Sequence, residues 1–140
     1  MQVKQIMSQK PEYLDKSATI REAVLRMQEH NRGFTPIGDK DRLVGVVTDR
    51  DIALRGVAEG KTPDDPVSSV MSSKLLYCYQ DDDIKAVLQN MQDQSVQRLA
   101  VLNNPDNKRL VGVVALSDIA EHCHDDDLGR RIINCCRHYH

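Results

Sequence analysis

The strongest constraint on this chain is an internal duplication. The segment RLVGVVTDRDIA, Arg42 to Ala53, recurs with few changes as RLVGVVALSDIA, Arg109 to Ala120. Apolar positions before this segment recur 64 residues later, whereas the segment itself recurs 67 residues later. The three extra residues fall in the turn-rich stretch NNPDNK, Asn103 to Lys108, where an insertion is tolerated. Each copy is about half the length of a viable domain, so we expect the two copies to share one core.

Each copy predicts the same order of elements: an apolar lead-in, then strand, helix, strand, strand and helix. In the first copy the lead-in is Val3 to Met7, and a short strand covers Glu12 to Leu14. Thr19 and Glu22 fit a capping box at the start of a helix. The apolar face of this helix has i, i+3, i+4, i+7 spacing: Ile20, Ala23, Val24 and Met27. The remaining elements are strands Thr35 to Ile37 and Leu43 to Val47, and a helix from about Asp49.

The second copy predicts the same elements, with acidic residues at the start of its first helix. Asp81, Asp82 and Asp83 precede that helix, where the helix dipole favours carboxylates. The elements that follow are strands Leu99 to Leu102 and Leu110 to Val114, and a helix from about Ser117. The predicted fold class is therefore α/β (α+β), with two βαββα repeats packed with pseudo-two-fold symmetry. The repeats are predicted at 1–60 and 61–124, followed by a C-terminal helical tail at 125–140.

Composition and charge exclude several classes of function. A chain of 140 residues with 40% hydrophobic residues is large enough for one ordinary domain. A net charge of −2 argues against a general nucleic-acid binder, since such proteins need a dense Lys and Arg surface. No stretch approaches the ~20 apolar residues of a membrane span, and the first residues lack the apolar core of a signal peptide. We therefore expect a soluble, cytoplasmic protein whose cysteines are reduced.

The duplicated segment carries the candidate chemistry, at the corner where a buried strand runs into a helix. A helix N-terminus offers backbone N–H groups to a phosphate, and Thr48 and Arg50 would add a hydroxyl and a charge. The carboxylate of Asp51 suits the two hydroxyls of a ribose, as acidic residues do in dinucleotide-binding folds. The alternative is that Thr48 and Asp51 only form a capping box, which needs no ligand.

The second corner helps to decide between these interpretations. Ala115 replaces Thr48, so the sequence predicts no capping box there, yet Asp118 is still present. An acid without its capping partner favours a ligand. Ser117 stands in place of Arg50, so we expect the first corner to bind phosphate better. The two sites are therefore predicted to be unequal.

Short motifs recur in order along the chain: IMS followed by Pro11, ATIREAV, the GVVTDRD corner, VMSS at Val70 to Ser73, and GVVALSD. Together with the duplication they resemble a tandem pair of CBS (cystathionine beta-synthase-type) repeats, a Bateman module, from Val3 to about Cys123. The resemblance implies two clefts between the repeats that bind an adenosine-containing ligand such as AMP, ADP, ATP, NAD or S-adenosylmethionine, with or without Mg²⁺. It also implies a regulatory sensor that forms a homodimer and signals to an effector protein by a conformational change.

The resemblance further assigns residues to each cleft. The first cleft is expected to combine the first corner with the matching positions of an adenine slot: Val46, Thr48, Arg50, Asp51, Met71, Leu76, Tyr77, Val96 and Gln97. The second cleft is expected to combine the related positions: Val113, Ser117, Asp118, Met7, Glu12, Tyr13, Arg32 and Gly33. Met27 and Met91, by contrast, are expected to fill the core, since Met on an apolar helix face is usually a packing residue.

The tail concentrates most of the Cys and His residues of the chain. Seven of the nine lie in the last 19 positions: His122, Cys123, His124, Cys135, Cys136, His138 and His140. Such clusters can bind zinc, although no C-x₂-C or H-x₃-H spacing is present. The alternative is an amphipathic helix that starts at Asp125 to Asp127 and has one apolar face: Leu128, Ile132, Cys135, Cys136 and Tyr139. That face would cover the module or pack on a second subunit.

No enzymatic activity and no catalytic cofactor are expected. The duplication takes up almost the whole chain, and no nucleophile with a nearby base, glycine-rich phosphate loop or metal-spaced triad is present. The predicted function is a regulatory module that binds an adenine nucleotide. Two other classes compete with it: a scaffold or oligomerisation module whose clefts are empty, and a metal-binding protein that uses the tail.

Overall fold

The computed structural model describes residues 1–9, 13–40, 42–72, 77–122 and 124–137. These residues form two compact units. The first-copy unit comprises the described residues of Glu12–Leu75, and the second-copy unit comprises those of Met1–Pro11 and Leu76–His140. Each unit therefore combines the strands and helices of one sequence copy with the lead-in of the other copy. The predicted repeat boundaries, 1–60 and 61–124, do not include this exchange of lead-ins.

In each copy the described elements follow the predicted order of strand, helix, strand, strand and helix. The strands are β1 (Ser8–Gln9), β2 (Leu14–Asp15), β3 (Phe34–Asp39), β4 (Arg42–Thr48), β5 (Tyr77–Tyr79), β6 (Arg98–Leu102) and β7 (Leu110–Ala115). The helices are α1 (Ile20–His30), α2 (Asp49–Asp51), α3 (Ile84–Gln94), α4 (Leu116–Ala120) and α5 (Asp126–Arg137). Helix α2 continues as a π-helical turn, Ile52–Gly56, and a 3₁₀ turn, Val57–Glu59. The whole stretch 49–59 is called the corner helix below.

Each unit contains one sheet with the same core of strands. In the first-copy unit the order is β2-β3-β4, with β2 parallel and β4 antiparallel to β3. In the second-copy unit the order is β1-β7-β6-β5, with β5 parallel to β6 and with β6 and β1 antiparallel to β7. The mixed α/β class is confirmed. The strand predicted at Glu12 to Leu14 starts later, at Leu14, and Glu12 lies outside the described residues.

The lead-ins are anchored in the exchanged positions by backbone hydrogen bonds. The N–H of Val3 donates to the carbonyl of Asp82 at 3.0 Å, and the N–H of Val67 donates to the carbonyl of Ala18 at 2.8 Å. Both valines are fully buried in the core of the unit that they join. The lead-in of each copy is therefore an integral part of the other copy's unit.

Two repeat-related glycines allow each lead-in to cross the last strand of its sheet. A Cβ on Gly45 would lie 2.7 Å from the carbonyl oxygen of Ser72, and a Cβ on Gly112 would lie 2.7 Å from that of Ser8. A real Cβ does not approach a backbone oxygen so closely. Close backbone approach is a common reason for glycine inside a strand, and it explains the glycine of both GVV motifs.

Helix α1 follows its predicted start but not its predicted apolar face. The Thr19 hydroxyl accepts a hydrogen bond from the N–H of Glu22 at 3.2 Å, which caps the helix as expected. Ile20, Ala23 and Met27 are buried. Val24, predicted on the same apolar face, lies outside the buried core, because its side chain is 44% exposed. Its counterpart on α3, Leu88, is 1% exposed.

Helix α5 explains the difference between the two copies. It packs against α3 and α4, with Leu128 and Cys135 buried in the same cluster as Leu88. The thiol of Cys135 donates to the carbonyl oxygen of Leu88 at 3.4 Å. The predicted tail helix is confirmed over Asp126–Arg137, and it covers its own chain. Cys136, expected on the apolar face, is exposed, and Tyr139 lies outside the described residues.

Candidate functional site

At the first corner, β4 ends at Thr48, which is the N-cap residue of α2 and forms a reciprocal capping box with Asp51. The Thr48 hydroxyl accepts from the N–H of Asp51 at 3.0 Å, and Asp51 Oδ2 accepts from the N–H of Thr48 at 2.9 Å. The interpretation that needs no ligand therefore describes a real interaction. It accounts for one oxygen of the Asp51 carboxylate and leaves the other to be explained.

The other oxygen of Asp51 faces an arginine that the sequence reasoning missed. Arg55 Nη2 lies 2.8 Å from Asp51 Oδ1, and both side chains are partly exposed to solvent. The two residues are four positions apart on the corner helix, which is the spacing at which opposite charges meet on a helix surface. This i, i+4 spacing is the sequence signal that could have indicated the ion pair. Both oxygens of the Asp51 carboxylate are thus engaged within the chain.

The second corner contains half of the same box. Asp118 Oδ2 accepts from the N–H of Ala115 at 2.8 Å. The expectation that Asp118 lacks a capping partner is therefore wrong, because the acid side of a capping box needs only a backbone N–H and no hydroxyl at the N-cap. The inference that an unpartnered acid favours a ligand loses that support. Asp118 has a structural role of its own.

The second corner differs at the position that corresponds to Arg55. His122 stands there, and its Nδ1 contacts the backbone carbonyl of Asp118 at 2.9 Å instead of the carboxylate. Within the described part of the chain, Asp118 Oδ1 has no hydrogen-bond or ion-pair partner. The second corner therefore presents a carboxylate oxygen with spare acceptor capacity in a half-buried position.

The loop after each long helix is tied to the corner of its own unit. Asp49 N–H donates to the carbonyl of Gly33 at 3.0 Å, and Leu116 N–H donates to the carbonyl of Gln97 at 2.8 Å. A Cβ on Gly33 would collide with the Asp49 carboxylate. Gly33 and Gln97 were each assigned to the cleft of the opposite corner, and these hydrogen bonds place each beside the corner of its own unit.

The other predicted site residues are divided between the two units. The first-copy unit contains Val46, Thr48, Arg50, Asp51, Met71, Tyr13, Arg32 and Gly33; the second-copy unit contains Val113, Ser117, Asp118, Met7, Tyr77, Val96 and Gln97. Arg50 and Ser117 are exposed, whereas Met71 and Met7 pack against the cores of their units. Leu76 and Glu12 lie outside the described residues.

Tyr77 lies beside a second aromatic side chain on β5. The rings of Tyr77 and Tyr79 are 5.6 Å apart and meet edge to face at 72°. A hydrogen bond with the Tyr77 side chain, together with burial, raises the pKa of Tyr79. Edge-to-face pairing is a preferred arrangement of aromatic rings, so the Tyr77 side chain is held in a defined orientation.

The Cys and His residues of the tail do not form a metal site among the described residues, where no three His, Cys, Asp or Glu side chains are placed to share an ion. Cys135 lies in the core, and burial raises the pKa of its thiol. Cys136 and His124 are exposed. Cys123, His138 and His140 lie outside the described residues, so this prediction remains open for them.

The duplication seen in the sequence corresponds to a known family. The profile of the CBS domain matches this chain twice, over residues 3–56 and 67–125. The chain belongs to the CBS domain family. The resemblance inferred from the GVVTDRD and GVVALSD corners is thereby confirmed, and the molecule is a tandem CBS pair followed by α5.

Relatives of this CBS pair include proteins of known structure. The CBS domain-containing protein YhcV of Bacillus subtilis is 37% identical over 118 residues, which is 84% of this chain and 82% of YhcV. Hypoxic response protein I, solved with two coordinated zinc ions, is 32% identical, with a TM-score of 0.80 over 89% of this chain and all of that one. A relative named hypoxic response protein 1 comes from Mycobacterium tuberculosis.

A further relative was solved with adenosine-containing ligands. The CBS domain pair of protein MJ0100, in complex with 5′-methylthioadenosine and S-adenosyl-L-methionine, is 28% identical to this chain. Its TM-score is 0.79, and the match covers 87% of this chain and 94% of that one. Adenosine-containing ligands are thus bound by a CBS pair with the same fold. Among the described residues of the present CBS pair, none of the helices is long and apolar enough to cross a membrane.

Proposed function

We propose that this CBS pair is a regulatory module that binds an adenosine-containing ligand at its two corners. The observation that carries the proposal is the repeated placement of a partly buried aspartate, Asp51 or Asp118, in the first helical turn after a largely buried strand. The MJ0100 pair, which binds 5′-methylthioadenosine and S-adenosyl-L-methionine, supports the class of ligand. The bound ligand is not chemically changed. Its occupancy shifts the population of conformations that an effector protein recognises.

Each corner supplies groups for a different part of the ligand. A carboxylate is a good acceptor for the paired hydroxyls of a ribose, as in dinucleotide-binding folds. Arg50, exposed next to Asp51, and the hydroxyl of Thr48 supply positive charge and a donor for a phosphate. The second corner has Ser117 and Ala115 at these positions. Phosphate recognition is therefore a property of the first corner.

The two corners also differ in how available their aspartates are. A ribose at the first corner has to share Asp51 with the guanidinium of Arg55. A ribose at the second corner meets an oxygen of Asp118 that has no partner among the described residues. We therefore propose that a phosphate-bearing nucleotide such as AMP binds at the first corner. A nucleoside without phosphate, such as 5′-methylthioadenosine, binds at the second.

The test measures thermal unfolding with AMP or 5′-methylthioadenosine at millimolar concentration. Asn keeps the carbonyl oxygen that accepts the capping N–H but removes the charge, so Asp51→Asn and Asp118→Asn form a matched pair of folded variants. We expect Asp51→Asn to lose the stabilisation by AMP and to keep that by 5′-methylthioadenosine, with the reverse for Asp118→Asn. Stabilisation is expected because a ligand that binds only the folded state raises its stability.

The possible contrary outcomes separate the alternatives. If neither ligand, nor ATP, NAD or S-adenosylmethionine, raises the unfolding temperature of the wild type, ligand sensing is wrong and a scaffold module with empty clefts is the better account. If both variants lose both ligands equally, sensing stands and the division between corners is wrong. Repeating the AMP titration with EDTA and with Mg²⁺ shows whether a cation accompanies the phosphate.

A zinc-binding function is a second candidate, favoured by the two zinc ions of the hypoxic response protein and by the Cys and His residues of the tail. It predicts stoichiometric zinc in protein purified without added metal, and loss of that zinc when Cys123 and Cys136 are replaced by Ser. We further propose a cytoplasmic location and a homodimer for the sensing module.

A further inference from the structure

Helix α5 is held to the second-copy unit by two buried side chains, one near each of its ends. Leu128 is 4% exposed and Cys135 is 2% exposed, and both belong to the same apolar cluster as Leu88 of α3. Ile132, which lies between them, is partly buried against this cluster. The buried contact in the last turn of α5 is therefore made by a thiol.

The Cys135 thiol is protected from reaction while α5 is docked. It donates to the carbonyl oxygen of Leu88 at 3.4 Å, and burial raises its pKa. Only the thiolate attacks a disulfide, so a buried thiol in apolar surroundings is inert. Cys135 therefore reacts only after the last turn of α5 has left the surface of α3.

The next residue, Cys136, is exposed to solvent. Cys78 on β5 is buried, and burial raises the pKa of Cys78 to about 12. Among the three cysteines that the structure describes, Cys136 is therefore the one that a reagent in solution reaches first. An accessible cysteine directly beside a second thiol is the arrangement found in thiols that are oxidised reversibly.

The helical backbone keeps the sulfur atoms of Cys135 and Cys136 apart. Consecutive side chains of an α-helix point about 100° apart around its axis and do not face each other. A disulfide requires Cβ atoms about 3.5–4.5 Å apart, which this arrangement does not provide. A bond between the two cysteines therefore requires the helix to unwind at this pair.

The position of the pair at the end of α5 makes this unwinding easy. Helix α5 covers Asp126–Arg137, so both cysteines lie in its last turn. The last carbonyl groups of a helix lack intrahelical partners, and helix ends open at a small cost in free energy. The end of α5 can thus open while Leu128, about two turns earlier, holds the rest of the helix in place.

We propose that Cys135 and Cys136 form a dithiol modification site that small disulfides such as glutathione disulfide oxidise reversibly. The Cys136 thiolate attacks one sulfur of the reagent, forms a mixed disulfide and releases one glutathione thiolate. When the last turn opens, the Cys135 thiolate attacks the Cys136 sulfur and releases the second glutathione thiolate. The two cysteines lose two electrons, the reagent is reduced to two molecules of glutathione, and these take up the two thiol protons.

The new bond fixes the end of α5 in the unwound state, because a helix does not accommodate it. Cys135 then no longer returns to its place beside Leu88, so this part of the α3 surface stays uncovered until a reductant restores both thiols. The pair therefore converts the redox state of its surroundings into the docking of α5. No step depends on a ligand at either corner.

The test treats the full chain carrying Cys123→Ser with glutathione disulfide and follows its intact mass. The mass is expected to fall by two hydrogen atoms. Trypsin cleavage after Arg131 and Arg137 releases IINCCR, which contains both cysteines of the pair, so the same loss is expected in this peptide. Hydrogen exchange in the last turn of α5 is expected to become at least about tenfold faster. Dithiothreitol is expected to reverse both changes.

Two matched variants in the same background check the order of the steps. Cys135→Ser is expected to stop at the mixed disulfide with glutathione on Cys136, because no second thiol is available to resolve it. Cys136→Ser is expected to remain reduced over the same time, because its remaining described thiols, Cys78 and Cys135, are buried.

Several results would overturn the proposal. One is a parent protein that stays reduced or keeps glutathione on Cys136, since Cys135 would then not take part. Another is a bond from Cys136 to Cys78 or to a second chain. A third is a disulfide within IINCCR that leaves hydrogen exchange of α5 unchanged, because the docking of the helix would then not depend on these thiols.

Discussion

Asp51 and Asp118 use the same carboxylate oxygen for the same backbone task at their two corners. Each accepts the N–H of the residue three positions earlier, at 2.9 and 2.8 Å. Only at the first corner is the box complete, because the Thr48 hydroxyl accepts from the N–H of Asp51 and Ala115 has no hydroxyl. The duplication in the sequence located both aspartates. It could not show that the Asp118 carboxylate accepts the N-cap N–H even where the N-cap residue has no hydroxyl. That depends on backbone geometry, which the residue types do not encode.

The capping difference predicts opposite effects of two matched substitutions. Thr48→Ala removes the hydroxyl that accepts from the Asp51 N–H and is expected to lower the free energy of unfolding by about 1 kcal/mol. Ala115→Thr supplies the missing hydroxyl at the second corner and is expected to raise it by about 0.5 to 1 kcal/mol. Urea unfolding monitored by circular dichroism measures both changes. If both substitutions change the free energy of unfolding in the same direction, a hydroxyl at the N-cap does not have the same role at the two corners.

At the scale of elements, the sequence predicted almost every helix and strand but not which copy each lead-in joins. The lead-in pattern, Val3 to Met7 and Val67 to Met71, is the same in both copies and is equally compatible with either partner. The hydrogen bonds of Val3 and Val67 settle the exchange. The face of α1 was mispredicted for a related reason. The helical spacing of Val24 and Leu88 is the same, and only the covering helix distinguishes them.

The exchanged lead-ins predict a strong dependence on the two strand glycines. Gly45→Ala and Gly112→Ala each place a Cβ against a backbone oxygen of a lead-in, so each is expected to destabilise the protein by about 1 to 3 kcal/mol. Gly56→Ala is the control, because its Cβ would meet its nearest neighbour at 3.5 Å, an ordinary contact distance. The measurement is the urea midpoint of each variant. A loss at Gly56→Ala as large as at Gly45→Ala would argue against the close approach as the cause.

At the scale of the molecule, helix α5 makes the two halves of a duplicated chain unequal. The CBS repeats supply two equivalent helix pairs, and the tail covers one of them with Leu128 and Cys135. The sequence indicated the amphipathic helix, and it left open whether its apolar face covers the module or a second subunit. The choice depends on tertiary packing, which periodicity alone does not determine. The consequence is that Leu88 on α3 is buried, whereas its counterpart on α1, Val24, is exposed.

This asymmetry predicts that releasing α5 changes the assembly. Leu128→Asp places a charge where the side chain is buried against the α3 and α4 cluster, so α5 is expected to detach and to expose Leu88. A detached α5 also makes the Cys135 thiol accessible, which adds one thiol to those that react with a disulfide reagent. Because a newly exposed apolar surface favours association, sedimentation is then expected to show a larger mass than that of the wild type.

The matched control for this change is Ile133→Asp, on the exposed side of the same helix, which is expected to leave both thiol reactivity and mass unchanged. If Leu128→Asp adds a reactive thiol while the mass stays that of the wild type, the uncovered face of α3 and α4 does not associate. If no thiol is added, Leu128 is not the anchor of α5. An added thiol together with a larger mass would show that α5 shields an apolar surface of α3 and α4 that otherwise associates.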